Sequence, residues 1–597
     1  MKILKLILSV LFLVSGLTNS NGSHLMGGEI TWRCDGIGAF IFQVKVYRDC
    51  NGIPGPGSLT LSTNAPGFSS GITCSLVSQT DISPQGIGCP SCSVPQGYAN
   101  AVEEFVFQSA PTIIAGNPPS GGWYFYYNDC CRNSAISNLA AGAGDFTLRA
   151  VMYSFSGSTG SSCLDNSPYF AQSPNLAICA TGQTDYSHAA FDPDLDSLVY
   201  SWDTPLQNGY PGIPYPFSAG YSIQSPLPGP LQNPLNSAAI LDPASGIISF
   251  ASFTVGAYVT VVKVSSYKCG QLVSEIYREI QVALLNCPIS TTPTISDNHA
   301  PNFNLNNSPV ETFQILAGDT FTYHFNATDF EFQPASSGGG PQSITATIES
   351  MEMGIGDSSY SIGCLIPPCA VLTNPGPITA PLAVSDTLIW PTACGHAGFT
   401  NGCLQHERVF QFVIRLDDNF CPAHGVRFKS LMVHVTGPEI YSNGSDLIVS
   451  YPGVSLQWYL NGVPIPGATD TIYTPLQNGI YTVLATNGTG CVMISNPVNR
   501  VLSGLDNIDK GSASSISVFP NPTSSNSMIN VMVKNIEVGS NIIRVMDSSG
   551  RLVKQIPVNI RYSDEHLIID LSAFSKGIYT INLSNKDQIV QTNLILK

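Results

Sequence analysis

Ile516-Ser517-Val518-Phe519-Pro520-Asn521-Pro522-Thr523 opens the stretch whose reading decides the fold. From there to Lys597 the chain is a series of short alternating apolar runs. Met528-Ile529-Asn530-Val531, Ile542-Ile543-Arg544-Val545-Met546-Asp547 and Leu567-Ile568-Ile569-Asp570-Leu571 are the clearest. Turn residues bound them, among them Ser548-Ser549-Gly550 and Lys576-Gly577. Successive side chains on a strand face opposite sides, so alternation broken by Gly, Ser, Asn and Asp predicts a small antiparallel β-sandwich over 516–597. The stretch has no Cys and a single His, His566, so nothing in it points to catalysis.

This stretch resembles the type A C-terminal sorting domain of proteins exported by the type IX secretion system of the Bacteroidetes. The matching residues are Pro520-Asn521-Pro522-Thr523, Asp547 with Gly550-Arg551-Leu552-Val553, Leu571 with Gly577 and Tyr579, and the terminal Leu594-Ile595-Leu596-Lys597. The resemblance implies a signal read by an outer-membrane translocon, with Pro520, Asn521, Pro522, Gly550, Gly577, Tyr579 and Lys597 as its markers. It also implies a secreted, extracellular protein, either freed by removal of the segment or attached to the outer-membrane surface.

The other end agrees. Lys2 and Lys5 precede an apolar run over residues 6–14, and mostly small and polar residues follow to Ser23. A charged, an apolar and a polar region in that order read as a secretory signal peptide over 1–23. The run is too short for a permanent membrane helix, which needs about 20 apolar residues. No later stretch has the length and apolarity of a span, so none is expected in the mature chain.

Between the ends, composition bounds the architecture. A chain of 597 residues exceeds one core and, at about 150 residues per domain, indicates about four domains. Only 11% of residues are charged, Gly number 54 and Pro 43, and long helical patterns are scarce. The expected fold class is all-β, with several Ig-like or cadherin-like β-sandwich modules in series. A net charge of −16 excludes nucleic acid as a partner, because phosphates need a basic surface. Seventeen Cys in an exported chain point to disulfides, and the odd total leaves at least one outside a pair.

Residues 24–180 are expected to form a Cys-rich β domain, with a strand near 40–47 running into Arg48-Asp49-Cys50-Asn51-Gly52. Two strings here, Gly27-Gly28-Glu29-Ile30-Thr31 and Val46-Tyr47-Arg48-Asp49-Cys50-Asn51-Gly52, are similar to N-terminal regions of large Bacteroidetes surface proteins associated with gliding motility and adhesion. That resemblance implies a surface context and no particular ligand. Residues 181–290 resemble a cadherin-like or Ig-like sandwich, and 291–437 a divergent relative carrying a Cys cluster. Residues 438–503 look like an Ig-like module. In it Trp458 is a core candidate, and Asn461-Gly462 predicts a tight hairpin turn because both residues tolerate positive φ. Residues 504–515 read as a linker.

Several patterns are candidates for chemistry. Gly67-Phe68-Ser69-Ser70-Gly71 has hydrolase spacing but lacks the strand before and helix after that hold a strained nucleophile, so a loop is expected. Cys89-Pro90-Ser91-Cys92 sits among loop residues, where structural disulfides are expected over zinc or redox chemistry. Cys394 with His396, Cys403 with His406 and Cys421 with His424 have zinc-like spacing, but an oxidising exterior favours Cys–Cys bonds. Asp192, Asp194 and Asp196 alternate, and alternate carboxylates can converge on calcium if further oxygens join them. Calcium is the only cofactor considered. Asp196-Ser197-Leu198, Asp386-Thr387-Leu388 and Asp470-Thr471-Ile472 resemble the short O-glycosylation acceptor of Bacteroidetes.

The expected function is that of a non-enzymatic adhesin or structural protein on the cell surface. Its partners would be the type IX translocon and a surface polysaccharide or protein ligand. The alternative is an exported hydrolase, protease or glycosidase, with its catalytic domain in 24–180 or 291–437. That alternative needs convergent titratable groups, such as two carboxylates about 5–10 Å apart for glycosidic bonds.

Overall fold

The computed structural model describes residues 25–596 except 53, 85–88, 94–100, 131, 134, 141–143, 156–162, 164, 181, 288–293, 298–307, 334–338, 354–363, 398–405, 444, 451–454, 487–491, 502–513, 520, 522, 524–527, 535, 537, 548–550, 561–564, 571–573 and 585–588. The signal peptide, 1–23, lies outside them, and so does most of the linker. Among the described residues there is strand, turn and a single 3-10 turn, Cys394–His396, with no α-helix. Among the described residues no helix is long and apolar enough to cross a membrane. The fold is all-β, as the alternation predicts. Two compact units result. One comprises Met1–Tyr441, Val449–Tyr473 and Ile480–Val498; the other comprises Ser442–Ile448, Thr474–Gly479 and Asn499–Lys597.

The first unit is built on an eleven-stranded sheet. Pairing runs Leu25–Cys34, Phe40–Asp49, Val102–Ser109, Ile72–Asp81, Ser58–Thr63, Trp123–Asp129, Phe146–Met152 and Gln271–Leu285, then returns to Leu25–Cys34. A ring of strands closed in this way has no free edge inside it. Strand Phe40–Asp49 shows why the sequence folds so. Phe40, Phe42, Val44 and Val46 are buried, while Ile41, Gln43 and Lys45 alternate with them on the other face.

Gln271–Leu285 is the centre of the ring. Along one edge it pairs in turn with Phe146–Met152, Leu25–Cys34 and Ala177–Cys179. Its other edge pairs with Gly256–Lys268 through a two-residue turn, Cys269-Gly270, in which both residues have positive φ (51° and 76°). The division expected at residue 180 is therefore corrected: 24–180 and 181–290 share one sheet and one core. The reason is non-local. A strand buried on both faces reads the same whether it closes its own module or someone else's.

The two strings near the N-terminus turn out to be construction. A Cβ on Gly27 would collide with the backbone of Glu279 and Ile280, and one on Gly28 with Lys45 and Leu148. Only glycine lets these strands approach so closely. Glu29 then pairs with Arg278, directly opposite it on the neighbouring strand. Tyr47 donates to Glu29, Arg48 pairs with Glu103, Asp49 caps Asn51, and Cys50 is bonded to Cys92.

The strands from Thr294–Asp297 to Val426–Thr436 form a sandwich. Its sheets run Thr294–Asp297, Thr320–Thr328, Ala383–Pro391, Val371–Leu372 and, opposite, Val310–Leu316, Val426–Thr436, Glu407–Asp417, Ser343–Glu349, Ile378–Pro381. Trp390, Phe321, Phe325, Phe410 and Phe412 fill the space between them. The disulfide Cys89–Cys421 ties this sandwich to the first sheet across 332 residues of sequence. Further on, Ser455–Leu460 pairs with Gly479–Thr486, and Asn461-Gly462 makes the predicted turn with φ of 50° and 79°. Trp458 is fully buried, donates to the Asp470 carbonyl at 2.8 Å and stacks on Tyr473.

Candidate functional site

The C-terminal module packs a three-stranded sheet, Ser515–Phe519, Met528–Lys534 and Glu565–Asp570, with a four-stranded one, Leu552–Ile560, Gly539–Asp547, Gly577–Ser584 and Ile589–Leu596. Ile529, Val531, Ile543, Val545, Ile581 and Leu594 are fully buried in its core. The described residues of the matching motifs hold this fold. Asn521 clamps the last strand: its amide donates to the Asn593 carbonyl at 2.7 Å, and its oxygen accepts from Ile595 N–H at 2.9 Å. Asp547 accepts from the Arg551 backbone N–H at 3.0 Å and from its Nε at 3.0 Å, closing the hairpin turn. Tyr579 lies between Asp547 and Leu594 in register, is buried, and donates to the Ser575 carbonyl at 2.7 Å. Gly577 begins that strand. Pro520, Pro522, Gly550 and Lys597 lie outside the described residues.

Residues 517–597 match the family model of the secretion system C-terminal sorting domain. The sorting domain makes the chain cargo of the type IX system, delivered across the outer membrane and either extracellular or surface-attached. No curated protein matches the chain. Solved structures that align with it include a biofilm-associated protein BSP domain, at 9% identity over 97% of both chains with a TM-score of 0.15. Extracellular domains 3–5 of Drosophila OTK align at 12% identity over 56% of this chain and 97% of theirs, TM-score 0.12. The native E. coli α-2-macroglobulin aligns at 10% identity over 97% of this chain and 40% of its own, TM-score 0.16. Superpositions this loose carry no argument here.

The clamp yields a local prediction. Asn521→Ala removes both bonds to the final strand and is expected to cost the sorting domain about 1–2 kcal/mol. The Ile595 amide should then exchange with deuterium faster than in the wild type, while the Ile543 amide changes far less.

The alternating aspartates form a different site from the one expected. Leu195 turns the segment with a φ of 59°, and its N–H donates to the Asp192 carbonyl at 3.0 Å. Asp192 accepts from the Asp194 N–H and from Ser266 Oγ, both at 2.8 Å, and Asp194 accepts from Asn166 N–H at 2.6 Å. The Lys268 ammonium pairs with Asp165 and lies 3.4 Å from Asp196. Asp165, Asp192 and Asp194 each have a protein donor, Asp196 has the Lys268 ammonium nearby, and the positive charge among them is a lysine. Calcium takes about six to eight oxygens, and this donor set does not fit it. Among the described residues no group of three or more His, Cys, Asp or Glu is arranged to hold a metal ion. The calcium expectation at Asp192, Asp194 and Asp196 is corrected to an ion-pair cluster on Lys268. Local spacing missed it because Asp165 and Lys268 come from distant parts of the sequence.

Burial raises the carboxyl of Asp192 well above its ordinary value, with Asp196 and Asp165 adding repulsion. Asp165 is pushed up to about 7 by burial, against the pull of Lys268. Asp418 behaves alike. Burial lifts it to about 7 although Phe420 and Gly425 N–H donate to it, and its Oδ2 has no hydrogen-bond partner. A carboxyl raised in the folded state holds a proton that the unfolded chain has already lost above pH 3.8. Its contribution to stability is therefore lost as pH rises from about 4 to 7 and stays lost above. Asp418→Asn keeps an acceptor for both N–H groups and removes the charge. It should stabilise the first unit by about 1–3 kcal/mol at pH 8 and hardly at all at pH 4, read by urea unfolding. An equal effect at both pH values defeats this reading.

The remaining candidates resolve into structure. Phe68 and Gly71 close a tight turn, so Ser69 lies in a loop. Cys89 is bonded to Cys421 and Cys92 to Cys50, which leaves no Cys-x-x-Cys redox pair. Cys34–Cys163, Cys179–Cys287 and Cys364–Cys369 are also bonded. In the zinc-like cluster, Cys394 and Cys421 are disulfide-bonded, and oxidised sulfur does not ligate zinc. His396 is fully buried, takes the Ala393 N–H on Nδ1 at 2.8 Å and sets Nε2 3.0 Å from the Ile366 carbonyl. Cys403 lies outside the described residues. Of the three glycosylation-like triplets, Ser197 and Thr471 are exposed, while Thr387 is half-buried against His324.

Proposed function

We propose that the protein is a non-enzymatic adhesive or structural component of the cell surface, carried there by its sorting domain. One observation carries the reading. Several of the few charges this body owns are buried inside it as ion pairs between segments distant in sequence: Glu29 with Arg278, Arg132 with Glu279, Arg48 with Glu103 and Lys268 with Asp165. Such pairs fix strand register, and with the Cys89–Cys421 tie they favour a stiff display body.

A strain lacking the chain tests this. It should attach to surfaces several-fold less than its parent, with recovery when the full chain is restored and with secreted protease and glycosidase activities unchanged. Normal attachment together with loss of a secreted hydrolytic activity would favour the exported hydrolase.

A further inference from the structure

A cleft of about 850 Å³ opens on the face of the eleven-stranded sheet that turns away from its core. Phe42 and Val44 point into the core, so Gln43 and Lys45 between and beside them face the cleft. Gln43 stands directly across from Gln108, and Arg33 across from Ile41 one strand over. At strand spacings this sets Arg33 and Lys45 about 14 Å apart, with the amide pair between them. Tyr169 and Gln172 come from the opposite wall.

The lining carries unmet demand of one kind. Among the described residues neither Arg33 nor Lys45 has an ion-pair partner. The other charges are engaged: Arg415 closes its fork on Asp417 at 2.7 Å, Glu349 lies in the field of Arg415, and Glu104 accepts from Ser173 Oγ at 3.1 Å. Both polar atoms of the Gln172 amide are buried with no hydrogen-bond partner. A buried amide left with neither donor nor acceptor is costly, and turning it into the cleft to meet a group offering both removes that cost.

We infer that this cleft binds an anionic saccharide chain, that is, sugar units bearing carboxylate or sulfate groups. Sugar hydroxyls donate and accept at once, which matches Gln43, Gln108 and Gln172. Two separated cations call for a ligand with repeated negative groups, in a protein whose net charge of −16 repels such ligands elsewhere. The volume lies within the range of small-ligand clefts. A peptide adding itself as a strand is excluded on the floor of the cleft, because Phe40–Asp49 and Val102–Ser109 are already paired along both edges. The inference rests on the reading of the chain as a surface binding protein and names its ligand class.

The test is titration calorimetry of the purified mature chain with tetragalacturonate and with a heparin tetrasaccharide, which separates carboxylate from sulfate as the source. At least one should bind saturably, with cellotetraose and tetraglutamate at least about tenfold weaker. Lys45→Gln and Gln172→Leu should each weaken binding about tenfold or more. Gln172→Leu replaces the orphaned amide with an apolar group of similar size, so its Tm should hold or rise, which separates lost binding from lost folding. Absence of saturable binding by both anionic sugars overturns the inference. So does tetraglutamate binding as tightly as the sugars, or wild-type affinity in either variant. Because the measurement needs no cells, a chain that reaches the surface and mediates attachment but binds neither sugar sinks the ligand alone. A chain that binds sugar while its null strain attaches normally sinks the adhesive role instead.

Discussion

Cells making the chain without residues 516–597 are expected to lose essentially all of it from their surface and medium and to retain it in the periplasm. The sorting domain has its own core, drawn from Ile516 to Leu596, and contains no Cys, so its removal leaves every disulfide of the body untouched. A subtler change should do the same. The strand Ile589–Leu596 closes the four-stranded sheet, and Leu594 on it is fully buried opposite Tyr579. Leu594→Asp buries an unpaired carboxylate in that core, at a cost of several kcal/mol, which exceeds what so small a domain can spare. Both variants are checked by protease access on intact cells and by the size of the retained protein. Surface display at wild-type level in either one defeats the assignment of this segment as the export signal.

How much of this was legible in advance divides along locality. The tail sandwich and the Asn461-Gly462 turn are written in adjacent residues, and pattern alone finds them. The closed sheet is not, because Gln271–Leu285 gathers partners from three distant stretches and nothing near it says which. The same holds for charge. Asp192, Asp194 and Asp196 display the spacing of a cation site, but the cation that answers them is a lysine at the far end of Gly256–Lys268. Cysteine counting foretold an unpaired thiol without saying where. Among the described residues it is Cys74, sealed in the core and pushed up to about 12 by burial, hence protonated and inert. The Gly27-Gly28-Glu29 string is legible only in retrospect, since Gly27 and Glu29 answer to a strand that arrives some 250 residues later.

That string predicts the largest stability effect in the body. Arg278 donates through Nε and Nη2 to the two oxygens of Glu29, and its guanidinium lies over the Phe170 ring at 4.0 Å. Burial opposes its charge, but Glu29 together with Tyr47 and Tyr186 holds the guanidinium above its ordinary value. Arg278→Met leaves Glu29 buried beside Tyr47 with no cation, and breaking a buried pair in this way costs about 3–5 kcal/mol. Replacing both members, Glu29→Leu with Arg278→Met, removes the stranded charge and leaves mainly the lost partner of the Tyr47 hydroxyl, about 1–2 kcal/mol. Urea unfolding of the first unit should therefore rank the single variant well below the double one. If the two are equally destabilised, or the single variant loses less than about 1 kcal/mol, the pair is not what holds Leu25–Cys34 against Gln271–Leu285, and packing of the two glycines must carry that junction by itself.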